Sequence, residues 1–134
     1  MGKIKVAIAE KNGNLSNTHF GDSDKILFYT IDTEKNTITF EKEMDNPLKA
    51  VKEENHGSEE KLKKAMELLN DRDVIVSGMP SPNFKKLKEK FGKIPVVVQS
   101  TDNINIALAR ISDTLKEMQE AGEIKFNRGF YLLV

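Results

Sequence analysis

Ile26-Leu27-Phe28-Tyr29-Thr30-Ile31 is followed by the turn-rich Asp32 to Asn36 and then by Thr37-Ile38-Thr39-Phe40-Glu41. The first run is apolar on both faces, as befits an interior strand. In the second, Ile38 and Phe40 alternate with polar neighbours, so one face is wet and the strand belongs nearer a sheet edge. Two such strands across a short turn predict a hairpin. Upstream, Ile4, Val6 and Ile8 alternate with Lys3, Lys5 and Ala7. That pattern predicts a first strand with one face more buried than the other, leading into a loop with Asn12, Gly13 and Asn14.

Downstream the apolar period lengthens to that of helices. Residues 44–57 form a long, mostly polar stretch with Pro47 and Gly57, a loop length that is often functional. Ser58 suits a helix N-cap, with Glu59 and Glu60 in the first turn where they favour the helix dipole. Leu62, Met66 and Leu69 then share one helical face. Val74-Ile75-Val76 reads as a short buried strand. Ser81-Pro82 opens a second helix, with proline at its first position; Phe84, Leu87 and Phe91 are its stripe and Gly92 its stop. Ile94 to Val98 is another strand, and Pro95 suits an outer position in the sheet. Thr101 is the predicted cap of a last helix with the stripe Ile104, Leu108, Ile111, Leu115 and Met118, ended by Gly122.

The order β-β-β-α-β-α-β-α predicts an α/β protein, a mixed sheet with helices packed on its faces. One domain is expected over residues 1–122. The tail, residues 123–134, ends in Phe130-Tyr131-Leu132-Leu133-Val134, too apolar to be left in water. It is expected to dock on the domain as an added strand or on a partner, giving a monomer or a homodimer.

Composition narrows the function. The 134 residues carry 21 Lys plus Arg against 21 Asp plus Glu, so the formal net charge is zero. A general nucleic-acid binder needs a basic surface to displace counterions from phosphates, and a polybasic membrane anchor needs a like excess. With no cysteine, disulfides, thiolate zinc sites and cysteine nucleophiles are excluded. No apolar run approaches the roughly 18 residues that span a bilayer, and the start enters a strand pattern with no apolar signal core. A cytoplasmic protein is the expectation.

The two histidines both fall in loops. His19 lies in Ser16-Asn17-Thr18-His19-Phe20-Gly21, after the carboxyl end of the first strand, where ligands collect in open α/β sheets. His56 lies in Glu54-Asn55-His56-Gly57-Ser58, just before a helix. A neutral imidazole is a good metal ligand, yet two histidines fall short of the three or four protein ligands of ordinary zinc sites. Ser77-Gly78-Met79-Pro80-Ser81-Pro82 links a strand to a helix start, which suits an anion; it is neither a P-loop nor a dinucleotide fingerprint. Lys85, Lys86, Lys88 and Lys90 fall off the apolar stripe and read as a solvated face. Two-metal phosphoryl chemistry needs convergent carboxylates, and Glu10, Asp22, Asp32 and Asp45 form no recognisable set, so no enzyme is expected.

The glycine- and asparagine-containing loop after the first strand, Ser16-x-x-His19-Phe20-Gly21, the hairpin, His56-Gly57 before an amphipathic helix, Val74-Ile75-Val76-Ser77-Gly78 and the final helix after Thr101 together resemble the dinitrogenase iron–molybdenum cofactor biosynthesis family. The likeness covers about residues 3–121. It implies a ribonuclease H-like fold, three layers (α/β/α) around a mixed five-stranded sheet. It also implies a non-catalytic carrier of an anionic metal–sulfur cofactor, either iron–molybdenum cofactor or an iron–sulfur precursor, working with cofactor-assembly proteins. Carried over by position, His19 and His56 are the metal ligands, with Phe20, Gly21, Gly57 and Gly78 beside them in the binding site. An anionic cluster brings its own sulfides and so needs few protein ligands. The family often has a Gly-Gly pair where this chain reads Gly78-Met79, and the bulkier Met79 restricts approach to the backbone. The alternative reading is a regulatory or interaction domain that binds a small anion or a protein partner and no cluster.

Overall fold

The computed structural model describes residues 2–50, 59–80, 84–122 and 132–134. The sheet is built from β1 (Lys3–Lys11), β2 (Asn14–Leu15), β3 (Lys25–Asp32), β4 (Thr37–Asp45), β5 (Val74–Ser77), β6 (Ile94–Val97) and β7 (Leu132–Leu133). Its helices are α1 (Glu59–Leu69), α2 (Phe84–Phe91) and α3 (Ile104–Glu120). The strand order is β4-β3-β1-β5-β6-β7, with β2 paired to β1 off this path. β3 runs antiparallel to both of its neighbours, β1 and β4; β5, β6 and β7 run parallel to β1. The five expected strands are present, and the described residues add two short ones.

The first addition is β2. Asn12 and Gly13 take positive φ, 56° and 85°, in a two-residue turn that pairs Lys11 with Asn14 and Glu10 with Leu15. Asn-Gly favours that turn because both central residues need a left-handed backbone. The second is β7, which pairs Leu132 and Leu133 with Val96 and Val97. Val134 donates to the Val97 carbonyl and accepts from the Gln99 amide, at 2.9 and 2.8 Å. Residues 123–131 of the tail lie outside the described residues.

Helices cover both faces of the sheet, giving three layers. On one face Ala107, Leu108, Ile111 and Leu115 of α3 pack on Ile4, Val6, Ile8, Val74 and Val96. On the other, Ala65 and Leu69 of α1 and Phe84 and Leu87 of α2 pack on Ala7, Ala9, Phe28, Ile75 and Val97. As expected, one face of β1 is the more buried: Ile4, Val6 and Ile8 are covered throughout, whereas on the other face Lys3 and Lys5 are exposed and Ala7 and Ala9 lie under the bulky rings of the second layer. The cap of α3 differs from expectation. Asn103 is the N-cap, its side chain accepting from the Ile106 amide, while Thr101 stands two residues earlier and accepts from the Asn103 amide. Gly92 and Gly122, both at positive φ, end α2 and α3 as expected.

β4 lies at the edge and is exposed along almost all of its length. Its register with β3 slips by one residue: Phe28 pairs with Lys42 and Tyr29 with Phe40, leaving Glu41 as the extra residue of a bulge. The bulge re-aims that side chain. Glu41 accepts from Arg72, which is only 3% exposed. Arg72 also donates to Asp71, at 3.2 and 3.1 Å, and to the Tyr29 carbonyl at 3.3 Å. Its guanidinium sits 5.1 Å from the Phe28 ring centre, a cation–π distance. The hydrogen bonds from Arg72 hold the Glu41 and Asp71 carboxyls below their ordinary range.

Candidate functional site

β1 and β5 are neighbours, yet the chain leaves β1 toward the β3–β4 side and continues from β5 toward the β6–β7 side. Such a reversal opens a crevice beyond the carboxyl ends of the strands, where ligands bind in open α/β sheets. Here the segment after β2 crosses the turn after β5, and three hydrogen bonds join them. The Gly78 amide donates to the Ser16 carbonyl at 2.8 Å. The Ser77 hydroxyl donates to the Thr18 carbonyl at 3.0 Å. His19 Nδ1 lies 2.8 Å from the Pro80 carbonyl oxygen.

The last contact defines the chemistry of the ring. A carbonyl oxygen only accepts, so Nδ1 carries the hydrogen and Nε2 of the neutral ring carries the lone pair. A backbone carbonyl on one ring nitrogen orients the other toward a metal and raises its basicity. His19 is half-buried and directly precedes a single 3-10 turn, Phe20–Asp22.

The loop beneath His19 is anchored firmly. Phe20 is 3% exposed, with its ring among Ala7, Ala9 and Phe28 in the second-layer core. Its carbonyl accepts from the Ser23 hydroxyl at 2.9 Å and from the Asn46 amide group at 3.0 Å. Asn46 is buried, also donates to the Ser23 carbonyl, and accepts from the Leu48 amide, so it opens the 3-10 turn Pro47–Ala50. The start of the long polar stretch is thus a clasp on the His19 loop.

Ser16 and Gly78 also form part of the wall of a cleft of about 460 Å³, together with Asn17, Ser100 and Thr101. Arg110, from the second turn of α3, donates to the Ser100 hydroxyl at 2.7 Å. Gly78 is required where it is. A β-carbon there would stand 2.6 Å from the Ser16 carbonyl oxygen, closer than any side chain permits without movement of the backbone.

Of the residues singled out from the sequence, His19 and Gly78 are brought to this crossing, and Phe20 and Gly21 are buried next to it. Phe20 serves as the anchor of the loop, and the Gly78 amide is committed to Ser16. His56 and Gly57 lie outside the described residues, as do Ser58, Ser81 and Pro82. Two of the acids considered for catalysis, Glu10 and Asp32, have local structural roles. Glu10 accepts from the Gly13 amide in the hairpin turn, and Asp32 accepts from the amides of Glu34 and Lys35. Among the described residues, no three His, Cys, Asp or Glu side chains group as a metal site would need. Ser77 and Pro80 fall within the turn singled out from the sequence but were not named as site residues there; Asn46 was missed, although Asn-Pro marks the start of a turn.

A protein-family model described as dinitrogenase iron-molybdenum cofactor matches residues 2–114. The chain belongs to the dinitrogenase iron-molybdenum cofactor family. The match takes in β1 through most of α3, so the crossing of the His19 loop over the β5 turn lies wholly inside the family domain. No curated protein matches the chain. Membership gives the domain a cofactor-related role. No helix among the described residues is long and apolar enough to cross a membrane.

Proposed function

We propose that this member of the family is a non-catalytic carrier that holds an anionic metal–sulfur cofactor, of the iron–molybdenum or iron–sulfur precursor type, and passes it to cofactor-assembly proteins in the cytoplasm. The observation that supports the reading is the 2.8 Å contact of His19 Nδ1 with the Pro80 carbonyl, which holds the ring at the crossing of the two loops. His56 is the proposed second ligand. The donor set fits such a cargo. A bare zinc ion asks the protein for three or four ligands, whereas a cluster arrives with most of its metal valences filled by its own sulfides. One or two imidazoles then hold it and still let it go.

Anaerobic titration with the cofactor or its precursor, followed by absorbance and bound-metal analysis, tests this. Wild-type protein is expected to take up one equivalent and a His19→Ala/His56→Ala double variant to lose uptake. Equal uptake by the two removes the proposed ligands. The cleft lined by Ser16, Asn17, Ser100 and Thr101, with Asp102 at its wall, supports a second reading, a small-anion sensor without a cluster. Under that reading inorganic phosphate or sulfate binds, and the double variant binds it equally well.

A further inference from the structure

We infer that Asn12-Gly13 is a site of spontaneous deamidation through a succinimide, and that the Glu10 carboxylate guards it in the folded protein. The site is independent of any cargo and needs no partner enzyme.

The chain holds a single Asn-Gly pair, and it is this one. Glycine has no side chain to shield its nitrogen, so Gly13 offers the least hindered nucleophile that can follow an asparagine. Both residues are exposed, so water reaches the turn. The reaction needs water alone. The Gly13 nitrogen loses its proton to solvent and bonds to Cγ of Asn12. The Cγ–Nδ2 bond breaks, and the side-chain nitrogen leaves with a proton from solvent as ammonia. Water then opens the five-membered ring at either carbonyl, giving aspartate or isoaspartate.

The fold opposes the first step. The Gly13 amide donates to Glu10 Oε1, and Glu10 is only 8% exposed. Loss of that hydrogen would set an amide anion against a carboxylate, and like charges in contact disfavour ionisation. Asp24 and Glu43 line the cleft beside the turn, and Lys25 in the same wall is paired with Glu43 at 3.6 Å. The hairpin also holds the nitrogen in place. Asn12 and Gly13 stand at φ 56° and 85° between the pairs Lys11/Asn14 and Glu10/Leu15, so their shared peptide plane is not free to swing over Cγ.

Damage here would travel. Isoaspartate adds a carbon to the main chain of a turn whose length fixes the register of the strands it joins. Beyond the turn, the Leu15 amide donates to the Asp102 carbonyl at 2.7 Å and the Ser16 amide to the Ala9 carbonyl at 2.9 Å. Ser16 in turn accepts from Gly78. The lengthened turn therefore pulls on the strand that carries the crossing with the β5 turn.

The test incubates full-length protein at 37 °C, folded and in urea, and follows residue 12 by peptide mapping and isoaspartyl methyltransferase labelling. Folded wild type is expected to deamidate roughly tenfold or more slowly than unfolded, the scale of one lost hydrogen bond to a charged group. Glu10→Ala is expected to quicken the folded reaction several-fold. Glu10→Gln, which keeps an acceptor oxygen, is expected to stay closer to wild type. Glu41→Gln, which loosens the fold at Arg72, is expected to leave the rate unchanged; if it quickens the reaction as much as Glu10→Ala, general opening governs the rate and the guard is overturned. Equal rates folded and unfolded also overturn it, as does a slower reaction in Glu10→Ala, which would make the carboxylate a base that promotes attack. No isoaspartate at residue 12 even in urea overturns the site itself. In aged protein, faster amide exchange at Ser16 and Gly78 is the expected sign of the strained register, and exchange equal to fresh protein overturns that coupling.

Discussion

Gly78 gives its amide hydrogen to the Ser16 carbonyl across 2.8 Å, and a β-carbon on Gly78 would stand 2.6 Å from that same oxygen. Even the smallest side chain therefore drives the β5 turn away from the His19 loop. Gly78→Ala is expected to cost about 1–3 kcal/mol, the usual range for overpacking. The urea midpoint measures that cost. The same variant is expected to shift the His19 ring ¹⁵N signals, since Pro80 moves with the turn. A midpoint and ring signals equal to wild type would show that the contact relaxes without consequence.

Asn46 offers a contrast of two substitutions. Its amide group donates to the buried carbonyls of Phe20 and Ser23. Asn46→Ala leaves those acceptors without their donor and is expected to cost about 2 kcal/mol. Asn46→Asp is expected to cost more near neutral pH, because a carboxylate faces carbonyl oxygens where a donor stood. Amide exchange at residues 20–23 is expected to quicken in both. If the aspartate variant is the more stable of the two, the assigned orientation of the Asn46 amide is reversed.

The Arg72 cluster sets an acid limit. Glu41 and Asp71 titrate below their ordinary range in the folded protein because Arg72 donates to them. A carboxyl whose folded pKa is depressed contributes stability above its unfolded pKa, about 4, and loses it as pH falls through the folded value. Thermal melts are expected to drop as the pH falls below about 4. Glu41→Gln is expected to flatten part of that drop and to cost roughly 1 kcal/mol near pH 7, a figure kept low by the solvent that reaches Glu41. An unchanged acid slope in the variant would mean that the pair contributes nothing to the linkage.

Deleting residues 132–134 strips β7 from β6 and removes the partners of the Val97 carbonyl and the Gln99 amide. The shortened chain is expected to melt at a lower temperature and to exchange the Gln99 amide faster, with light scattering reporting its mass beside that of the full chain. Unaltered exchange at Gln99 would count against the pairing.

Much of the frame was legible in the sequence, because strand and helix periodicities are local. The two-faced apolar run Ile26 to Ile31 placed β3 inside the sheet, the half-polar Thr37 to Glu41 placed β4 at its rim, and Gly92 and Gly122 ended helices at positions that need left-handed backbone. The Asn12-Gly13 hairpin was also written there and went unread. What stayed hidden depends on pairs far apart in the chain. Arg72, between two aspartates at a helix end, looks like a solvated turn until β3 and the bulge at Glu41 close over it. The partnership of His19 with Pro80 spans 61 positions and joins an imidazole to a main-chain oxygen, which no side-chain pattern encodes. Thr101 and Asn103 are both plausible caps by residue type, and only the path of the backbone chooses Asn103.

The seam between β1 and β5 also sets when the His19 ring is oriented. A ribosome-bound chain that has emerged only through Asn46 holds His19 and its anchoring groups, Phe20, Ser23 and Asn46, but not yet Pro80 to orient the ring. Pro80, Ser77 and Gly78 arrive with the next stretch of polypeptide and must dock beside β1 before the imidazole is aimed. The ring is therefore oriented only in the completed fold.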